Sequence, residues 1–353
     1  MDGDELYKEL PEELIREILV RLPVRFLIQL RSVCRLWNSL ISSHEFAIHH
    51  LQRSTLTHSP PLLCWNNHET TDSLSSFLLY HHLHPTGLLT SIPIHEKRII
   101  RGSCNGLLCL SEQDFPFQTL ALFNPSTCSA SPSIPFDSPH EFEKTVFWGF
   151  GYDTVHDKYK FVTGCCHSSL LTGANKVRSG AKLCTFGSNP CWKNVDHPVF
   201  SYNLLGPKHG IFVSGTLNWI VYGPSARSST ITREWFVLTF DLETELFDRL
   251  CLPIRGYSHY TNMPRLQVLN NRLSVCYRYP SDTICCSVWI MKEHDAVEDS
   301  WTKLLEIPRG SVEMSPFIPL HISEDDDMHH PRLPTSLYYL CHESLVSPSL
   351  SWS

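Results

Sequence analysis

The sequence predicts an α+β multidomain chain, with a small all-α unit at the N-terminus and a larger, propeller-like all-β body after it. Two observations favour this class. Within the first 50 residues, apolar side chains recur every three or four positions, as one face of a helix requires. From about residue 100 onward, short apolar strands alternate with turn-forming residues in a loose repeat.

Composition limits the classes of partner. The 353 residues are 42% hydrophobic and 18% charged, which is ordinary for a globular protein. Proline (24) outnumbers glycine (16), and nine Trp accompany 18 Phe and 12 Tyr, a mixture that favours strands and turns. The net charge is -7 and no concentrated basic stripe is visible, so nucleic acid is not expected as a partner.

Targeting signals and disulfides are not expected either. The acidic start MDGDELYKELPEEL does not resemble a signal peptide, and no apolar run reaches the roughly 18 residues that a membrane span requires. We therefore expect a cytoplasmic or nuclear protein without a membrane partner. The 14 cysteines sit in apolar runs such as GLLCL and LSVCY, which is typical of free thiols in a core.

Two amphipathic helical stretches are predicted near the N-terminus. In the first, Leu14, Ile18 and Leu22 repeat at i, i+4 and i+8, and a proline one residue later ends the helix. The second extends from Leu27 to Ile41 with similar spacing. A unit of this size rarely supports its own fold, so its apolar faces need a partner protein or the rest of the chain.

This stretch, LPEELIREILVRLPVRFLIQLRSVCRLWNSLI, resembles an F-box. The resemblance implies a three-helix F-box domain at residues 5–50 that docks on a Skp-type adaptor, which a cullin scaffold holds in turn. A helical hairpin packed on its own domain is the alternative. The resemblance also implies the adaptor-binding residues, of which some contact the adaptor and others only stabilise the module: Leu10, Pro11, Leu14, Ile15, Ile18, Leu22, Pro23, Val24, Val33, Cys34 and Trp37.

The body contains four sequence units of roughly 50 residues, the period of propeller blades. The stretches that begin these units are NGLLCL (105–110), GFGYDTVHDKYKFV (149–162), SGTLNWIV (214–221) and NNRLSVCY (270–277). A unit of four strands cannot bury both faces alone, so neighbours must stack, and a closed ring protects the sheet edges. The flanking segments 56–97 and 311–347 are expected to add strands that close the ring. A β-sandwich is the alternative.

The body also resembles the F-box-associated interaction domain of plant proteins, including S-locus F-box-like proteins. The stretches that carry the resemblance are GSCNGLLCL with LFNPST, GFGYDTVHDKYKFV, VSGTLNWI, FDLETELF and YYLCHESLVSP. They follow the order of the family, and they place the domain at residues 98–347. The resemblance implies that this domain binds a target protein whose identity the sequence does not contain.

No catalytic, metal or cofactor site is predicted. The sequence has no C-x-x-C pair of the kind that zinc modules use, and no nucleophile elbow or Walker loop. Gly149-Phe150-Gly151 lacks the third glycine of a dinucleotide fingerprint, and we attribute it to tight turn geometry. No enzyme activity is therefore expected, and the resemblance implies a substrate-recognition subunit of a Skp–cullin–F-box ubiquitin ligase. Two alternatives stay open: an F-box-containing ligand- or glycan-binding module without a degradative role, and a Skp-bound regulator.

Overall fold

A computed structural model shows the helical unit and the β body that the sequence predicts. The residues that it describes are 10–56, 62–66, 73–78, 90–93, 98–112, 119–136, 147–167, 178–196, 209–224, 233–254, 263–279, 284–292, 301–308, 321–322, 328–329, 338–341 and 344–348. The acidic stretch from Asp325 to Asp327 and several connections between strands lie outside these ranges.

Four helices form the N-terminal unit. They are α1 (Glu12–Leu19), α2 (Val24–Leu30), α3 (Arg35–Ser42) and α4 (His44–Leu56). The first three form the predicted module, but the expected single stretch from Leu27 to Ile41 is two helices, because Cys34 takes an extended backbone (φ -157°, ψ 168°). Its Sγ accepts a hydrogen bond from the backbone N–H of Trp37 at 3.5 Å and so caps α3. The apolar spacing continued across this break because both helices pack on one core.

The described part of the body contains 23 strands. They are β1 (Leu62–Asn66), β2 (Ser73–Leu78), β3 (Thr90–Pro93), β4 (Arg98–Cys104), β5 (Leu107–Glu112), β6 (Thr119–Asn124), β7 (Ser129–Ala130), β8 (Ile134–Pro135), β9 (Phe147–Asp153), β10 (Lys158–His167), β11 (Arg178–Thr185), β12 (Cys191–Val195), β13 (Ile211–Val213), β14 (Thr216–Pro224), β15 (Arg233–Asp241), β16 (Phe247–Cys251), β17 (Arg265–Leu269), β18 (Arg272–Arg278), β19 (Ile284–Met291), β20 (Trp301–Pro308), β21 (His321–Ile322), β22 (Met328–His329) and β23 (Tyr338–Cys341).

Most of these strands form five antiparallel sheets. Sheet I has the order β23-β1-β2-β3, and sheet II has the order β4-β5-β6-β7 with β8 also paired to β6. Sheets III (β9 to β12), IV (β13 to β16) and V (β17 to β20) are meanders in which each strand pairs with the next in sequence. Strands β21 and β22 form a separate pair. Five successive small sheets confirm the propeller-like prediction over the sandwich.

Sheet I brings the two ends of the body together. Strand β23 pairs with β1 in the register Leu62↔Cys341 to Trp65↔Tyr338, so strands from both flanking segments share one sheet. The edge strands of successive sheets also lie side by side: β23 contacts β4, β4 contacts β9, β9 contacts β13 and β13 contacts β17. One edge strand from each sheet therefore faces the inside of the array, as in a propeller.

The chain beyond β23 is held by the Asn-Pro-Ser-Thr turn of sheet II. The buried amide of Asn124 donates hydrogen bonds to the backbone carbonyl oxygens of Ser344, at 2.9 Å, and Val346, at 2.8 Å. Its Oδ1 accepts from the backbone N–H groups of Ser126 and Thr127, an arrangement that Asn favours in turns. This turn thus ties the C-terminal segment 344–348 to the ring.

Close packing between sheets III and IV explains the GFGYD motif better than turn geometry does. Gly149 and Gly151 lie in strand β9, not in a turn. A Cβ atom on Gly149 would lie 2.9 Å from Cζ2 of Trp219, and one on Gly151 would lie 2.4 Å from Cδ2 of Phe212. Both distances are shorter than van der Waals contact, so any side chain would separate the two sheets.

The turns of three hairpins each contain two successive residues in the left-handed region, as type I′ turns do. These turns precede β5, β14 and β18, and their residues are Asn105 (φ 51°) with Gly106 (φ 76°), Ser214 (φ 47°) with Gly215 (φ 80°), and Asn270 (φ 49°) with Asn271 (φ 56°). Asn and Gly tolerate this conformation better than other residues, which is why these turns were visible in the sequence.

Among the described residues, a cluster around Val288 lies within sheet V, and three larger apolar clusters join different elements. One lies between sheets III and IV around Trp219, and another lies between sheets IV and V around Tyr277. The third joins sheets II and III to the helices, and it includes Leu19 and Phe46 from the helical unit and Val346 from the C-terminal segment. The helices therefore share a buried cluster with the body.

Candidate functional site

Helix α1 carries apolar side chains on two sides. Ile15 and Leu19 face the core, with Leu19 buried and Ile15 packed partly buried against it. Leu14 and Ile18 lie about 100° away from them around the helix axis, and they are 51% and 52% exposed. Since residues four apart lie above one another on a helix, each pair forms a stripe along α1. One stripe packs on the protein and the other faces solvent.

Helix α2 and the turn after it repeat this division. Val24 and Leu27 are buried in the shared cluster, whereas Phe26 and Ile28 are exposed. Val33, in the turn before α3, is also exposed. Because apolar side chains that are exposed close together are candidates for contact with a partner, these residues form a candidate binding surface.

The structure separates the eleven predicted adaptor-binding residues by burial. The exposed ones are Leu10, Pro11, Leu14, Ile18, Pro23, Val33 and Cys34. The partly buried ones, which pack against the shared cluster, are Ile15, Leu22 and Trp37. Val24 is buried and can act only by holding the helices together.

Three exposed apolar residues of the helical unit were not among the predicted ones: Phe26, Ile28 and Leu36. A signal for two of them exists in the sequence. Val24 and Leu27, three residues apart, form the inward stripe of α2. Phe26 and Ile28 are apolar but do not continue this spacing, so they lie outside the inward stripe. Apolar residues outside the inward stripe of a helix are candidates for contact with a second protein.

The side of α1 away from its exposed stripe is tied to α4. Arg16 lies two residues from both Leu14 and Ile18, so it projects from the opposite side of the helix. Its Nη1 is 2.6 Å from Oε1 of Glu45, in the first turn of α4. The exposed stripe of α1 therefore points away from α4.

The first residue of α4 approaches the body. His44 Nε2 lies 3.6 Å from Oδ2 of Asp157, in the turn between β9 and β10. Asp157 also accepts a hydrogen bond from the hydroxyl of Tyr152. Burial, followed by this hydrogen bond to Asp157, raises the pKa of Tyr152 above its ordinary value, so the phenol stays a proton donor. The body thus contacts the helical unit near the start of α4, and this contact does not include the exposed stripe of α1.

A buried charge network lies in the body, between sheets III and IV. Lys160 Nζ donates to Oδ2 of Asp153 at 2.8 Å, to the backbone carbonyl oxygen of Leu242 at 2.6 Å and to Oε1 of Glu245 at 2.9 Å. Burial by itself would raise the pKa of Asp153, but hydrogen bonds from Lys160 and His156 outweigh it and leave this pKa below its ordinary value. All three ammonium donors are used, so the network fastens two blades together.

Buried cysteines and the distribution of possible metal ligands bear on two kinds of chemistry in the described ranges. Burial raises the pKa of the thiols of Cys104 and Cys109, and it raises that of Cys184 to about 12, so these thiols are not activated nucleophiles. The described part of the chain contains no group of three His, Cys, Asp or Glu side chains that could hold a metal ion. Its helices are also too short or too polar to cross a membrane.

Two family models match the chain. The F-box domain model matches residues 8–49, which include the exposed stripe of α1. The model of the F-box associated beta propeller domain matches residues 74–330. These matches agree with the helical unit and with the blades of the body.

Curated relatives come from Arabidopsis thaliana. F-box/kelch-repeat protein At3g23880 is 30% identical over 317 residues, covering 85% of this chain and 79% of that protein. F-box protein At4g22390 is 29% identical over 343 residues, covering 90% and 79%, and F-box protein CPR1 is 26% identical over 346 residues, covering 90% and 78%. Among solved structures, an alpha-L-arabinofuranosidase from Lactobacillus brevis aligns over 70% of this chain and 90% of the enzyme chain, with a TM-score of only 0.35 at 10% identity. The chain belongs to the F-box proteins that carry an F-box associated β-propeller domain.

Proposed function

We propose that this chain is the substrate-recognition subunit of a Skp–cullin–F-box ubiquitin ligase. The observation that carries the proposal is where the exposed apolar residues lie. Of the ten large hydrophobic side chains exposed among the described residues, seven fall between Leu10 and Leu36. The remaining three, Val155, Leu246 and Leu304, are dispersed over the body. Such a concentration supports a protein-binding surface on the F-box.

The exposed apolar side chains of the F-box would contribute to affinity when a partner covers them. Complete burial of a Leu or Ile side chain contributes ~1.5–3 kcal/mol, so a half-exposed one contributes about 1 kcal/mol when a partner covers it. Leu10, Leu14, Ile18 and Val33 together would contribute about 4 kcal/mol, or roughly a thousandfold in affinity. In this proposal they contact a Skp-type adaptor, which connects the chain to a cullin.

The body holds the target in this proposal. Its F-box-associated domain extends over residues 98–347, and β1 to β3 add a blade ahead of it, while the F-box domain extends over residues 5–50. A bound target is kept at high effective concentration near the ubiquitin-carrying enzyme, so the chain itself needs no catalytic group and no cofactor. We place this activity in the cytoplasm or nucleus, where ubiquitin ligases of this type act.

Co-purification tests the proposal. The full chain should retain a Skp-type adaptor and, through it, a cullin, whereas the Leu14→Asp/Ile18→Asp variant should retain neither. A matched control is Val155→Asp/Leu246→Asp, because these side chains are 60% and 61% exposed but lie on the body. The control should retain both proteins. If the two variants retain the adaptor equally well, or if neither retains it, the docking role of the F-box is contradicted.

If the wild-type chain retains no adaptor, the ligand- or glycan-binding alternative takes precedence. The body would then be screened for small ligands by thermal shift, since a ligand that binds only the folded state raises the melting temperature. If the adaptor and cullin bind but the target is not degraded, the chain is a regulator and not a degradation receptor.

A further inference from the structure

The segment 344–348 is buried although it belongs to no strand. Ser344, Leu345 and Val346 are all buried, and their backbone is not part of a sheet. Because such a backbone has no strand ladder, other groups must satisfy its polar atoms. The amide of Asn124 donates to the carbonyl oxygens of Ser344 and Val346, and the N–H of Ser344 donates to Oγ of Ser126 at 3.3 Å. Sheet II therefore holds this segment by side chains.

The turn after β6 does not itself require the amide group of Asn124. Asp241 occupies the corresponding position in the turn after β15, and its Oδ1 accepts from the backbone N–H groups of Glu243 and Thr244 at 2.9 and 2.7 Å. The Oδ1 of Asn124 likewise accepts from the residues two and three positions later. A carboxylate can form such a turn because only the acceptor oxygen is used. The NH2 group of Asn124 thus serves the segment 344–348.

The same segment reaches the helical unit through its apolar side chains. Leu345 and Val346 belong to the buried cluster that contains Phe46 of α4. The polar contact between the two units is exposed by comparison: the side chains of His44 and Asp157 are 32% and 53% exposed. Exposed pairs contribute little to stability, whereas a buried apolar cluster contributes much more. The attachment of the helices to the body therefore depends mainly on this cluster.

Ring closure and the attachment of the helices are connected through the strand pair β1–β23. Helix α4 ends at Leu56, and β1 begins at Leu62. Strand β23 pairs with β1 and ends at Cys341, three residues before Ser344. The chain therefore passes to the helical unit from one strand of this pair and to the buried segment from the other.

We propose that the segment 344–348 is a latch that fixes the F-box helices on the propeller, and that the amide of Asn124 holds this latch in place. Separation of β23 from β1 would withdraw the latch, so closure of the ring and attachment of the helices form one cooperative unit. The latch is a property of the free chain and does not depend on adaptor binding.

Hydrogen–deuterium exchange of the full chain tests the latch. Asn124→Asp retains the acceptor oxygen of the turn but places an oxygen opposite two carbonyl oxygens. Exchange of the backbone amides of 344–347 and of α4 should become at least ~10-fold faster, while β18 of sheet V keeps its wild-type rates. Asp241→Asn is the matched control, because it retains the acceptor oxygen of its own turn, and it should leave all these rates unchanged.

A second variant separates loss of the latch from loss of the fold. Val346→Ala retains the hydrogen bonds of Asn124, which go to backbone atoms, but removes part of the apolar contact. Exchange in α4 should become about threefold faster relative to β18. This variant decides the question if Asn124→Asp accelerates exchange in every sheet. Exchange in α4 that is unchanged in Val346→Ala, or that rises only together with β18, overturns the latch.

Two further outcomes are informative. If Asn124→Asp accelerates exchange in 344–347 but leaves α4 and β18 at their wild-type rates, the segment lies on sheet II without holding the helices, and the inference is overturned. If these variants behave as expected but the wild-type chain binds no Skp-type adaptor, the latch is supported and the proposed function fails.

Discussion

The F-box helices and the β body use apolar residues in opposite ways. In the body, large side chains such as Trp219 and Tyr277 are buried between neighbouring sheets, and each blade covers the next. In the helical unit, one apolar stripe of α1 is buried while Leu14 and Ile18 remain exposed. The body therefore buries its large apolar side chains between blades and against the helices, whereas the F-box leaves one apolar stripe exposed, which in our proposal contacts a partner.

Removing a side chain from between two blades should have the largest effect on stability. Trp219 is buried, it contacts the ring of Phe147, and its Nε1 donates to the backbone carbonyl oxygen of Trp148 at 3.0 Å. Trp219→Ala should lower the free energy of unfolding by ~3–5 kcal/mol, measured by urea denaturation. Leu246→Ala, at an exposed position of the same sheet region, should change it by less than about 0.5 kcal/mol. Similar values for the two variants would contradict the account of the body core.

The next largest effect is expected at the charge between the blades. The side chain of Lys160 is 5% exposed, so Lys160→Met should remove the buried ammonium between Asp153 and Glu245, although His156 still contacts Asp153 and Lys193 still pairs with Glu245. We expect the free energy of unfolding to fall by about 3 kcal/mol in the same assay, because the fully buried carboxylate of Asp153 loses its lysine partner and removing one member of a buried pair is costly. Lys303→Met removes an exposed cation and serves as the control. A loss at Lys160 no greater than at Lys303 would show that the network does not fasten the blades.

The same network predicts a pH dependence of stability. Burial by itself would raise the pKa values of Asp153 and Glu245, but they lie below their ordinary values because hydrogen bonds from Lys160 and His156 to Asp153, and from Lys193 and Lys160 to Glu245, outweigh burial. Carboxylates of this kind contribute stability that is fully present above the unfolded-state pKa of about 4 and is lost as pH falls through the folded-state pKa. The free energy of unfolding of wild type should therefore decrease as pH falls below about 4, and that of Lys160→Met should decrease less. Parallel pH curves would contradict this.

The smallest effect is expected at the contact between α1 and α4. Glu45 is 78% exposed in its ion pair with Arg16, so solvent screens most of the attraction. Glu45→Gln should cost less than about 1 kcal/mol of unfolding free energy, and the cost should vanish in 0.5 M NaCl. A larger cost that persists in salt would mean that this pair, and not the apolar cluster, holds α1 in place.

Local sequence patterns predicted most of the blades, because turn residues and apolar strand residues are recognisable separately in the sequence. Asn105, Gly106 and Gly215 adopt the positive φ values that Asn and Gly tolerate, and apolar strands follow each of these turns. The turn geometry that we assigned to Gly149 and Gly151 from the sequence was wrong. These glycines leave room for Trp219 and Phe212 of the neighbouring sheet. Contacts between blades are long-range, and a local pattern does not contain them.

The candidate site was predicted as a set of residues but not as a surface. Leu14 and Ile15 are equally apolar neighbours, and only the packing of α1 shows that one is exposed and the other is covered. The break before Cys34 was missed because a thiol cap on the backbone N–H of Trp37 is not a usual helix-start signal. The eleven predicted residues remain a prediction until adaptor binding is measured.

The most direct test of the central claim combines affinity and stability on one variant. Leu14→Asp/Ile18→Asp would be titrated against a purified Skp-type adaptor by calorimetry, and its melting temperature would be measured on the same sample. Because both side chains are exposed in the free chain, the account predicts that Kd weakens at least ~100-fold while the melting temperature changes by less than about 2 °C. Unchanged affinity, or a melting temperature that falls together with the affinity, would contradict an exposed docking stripe.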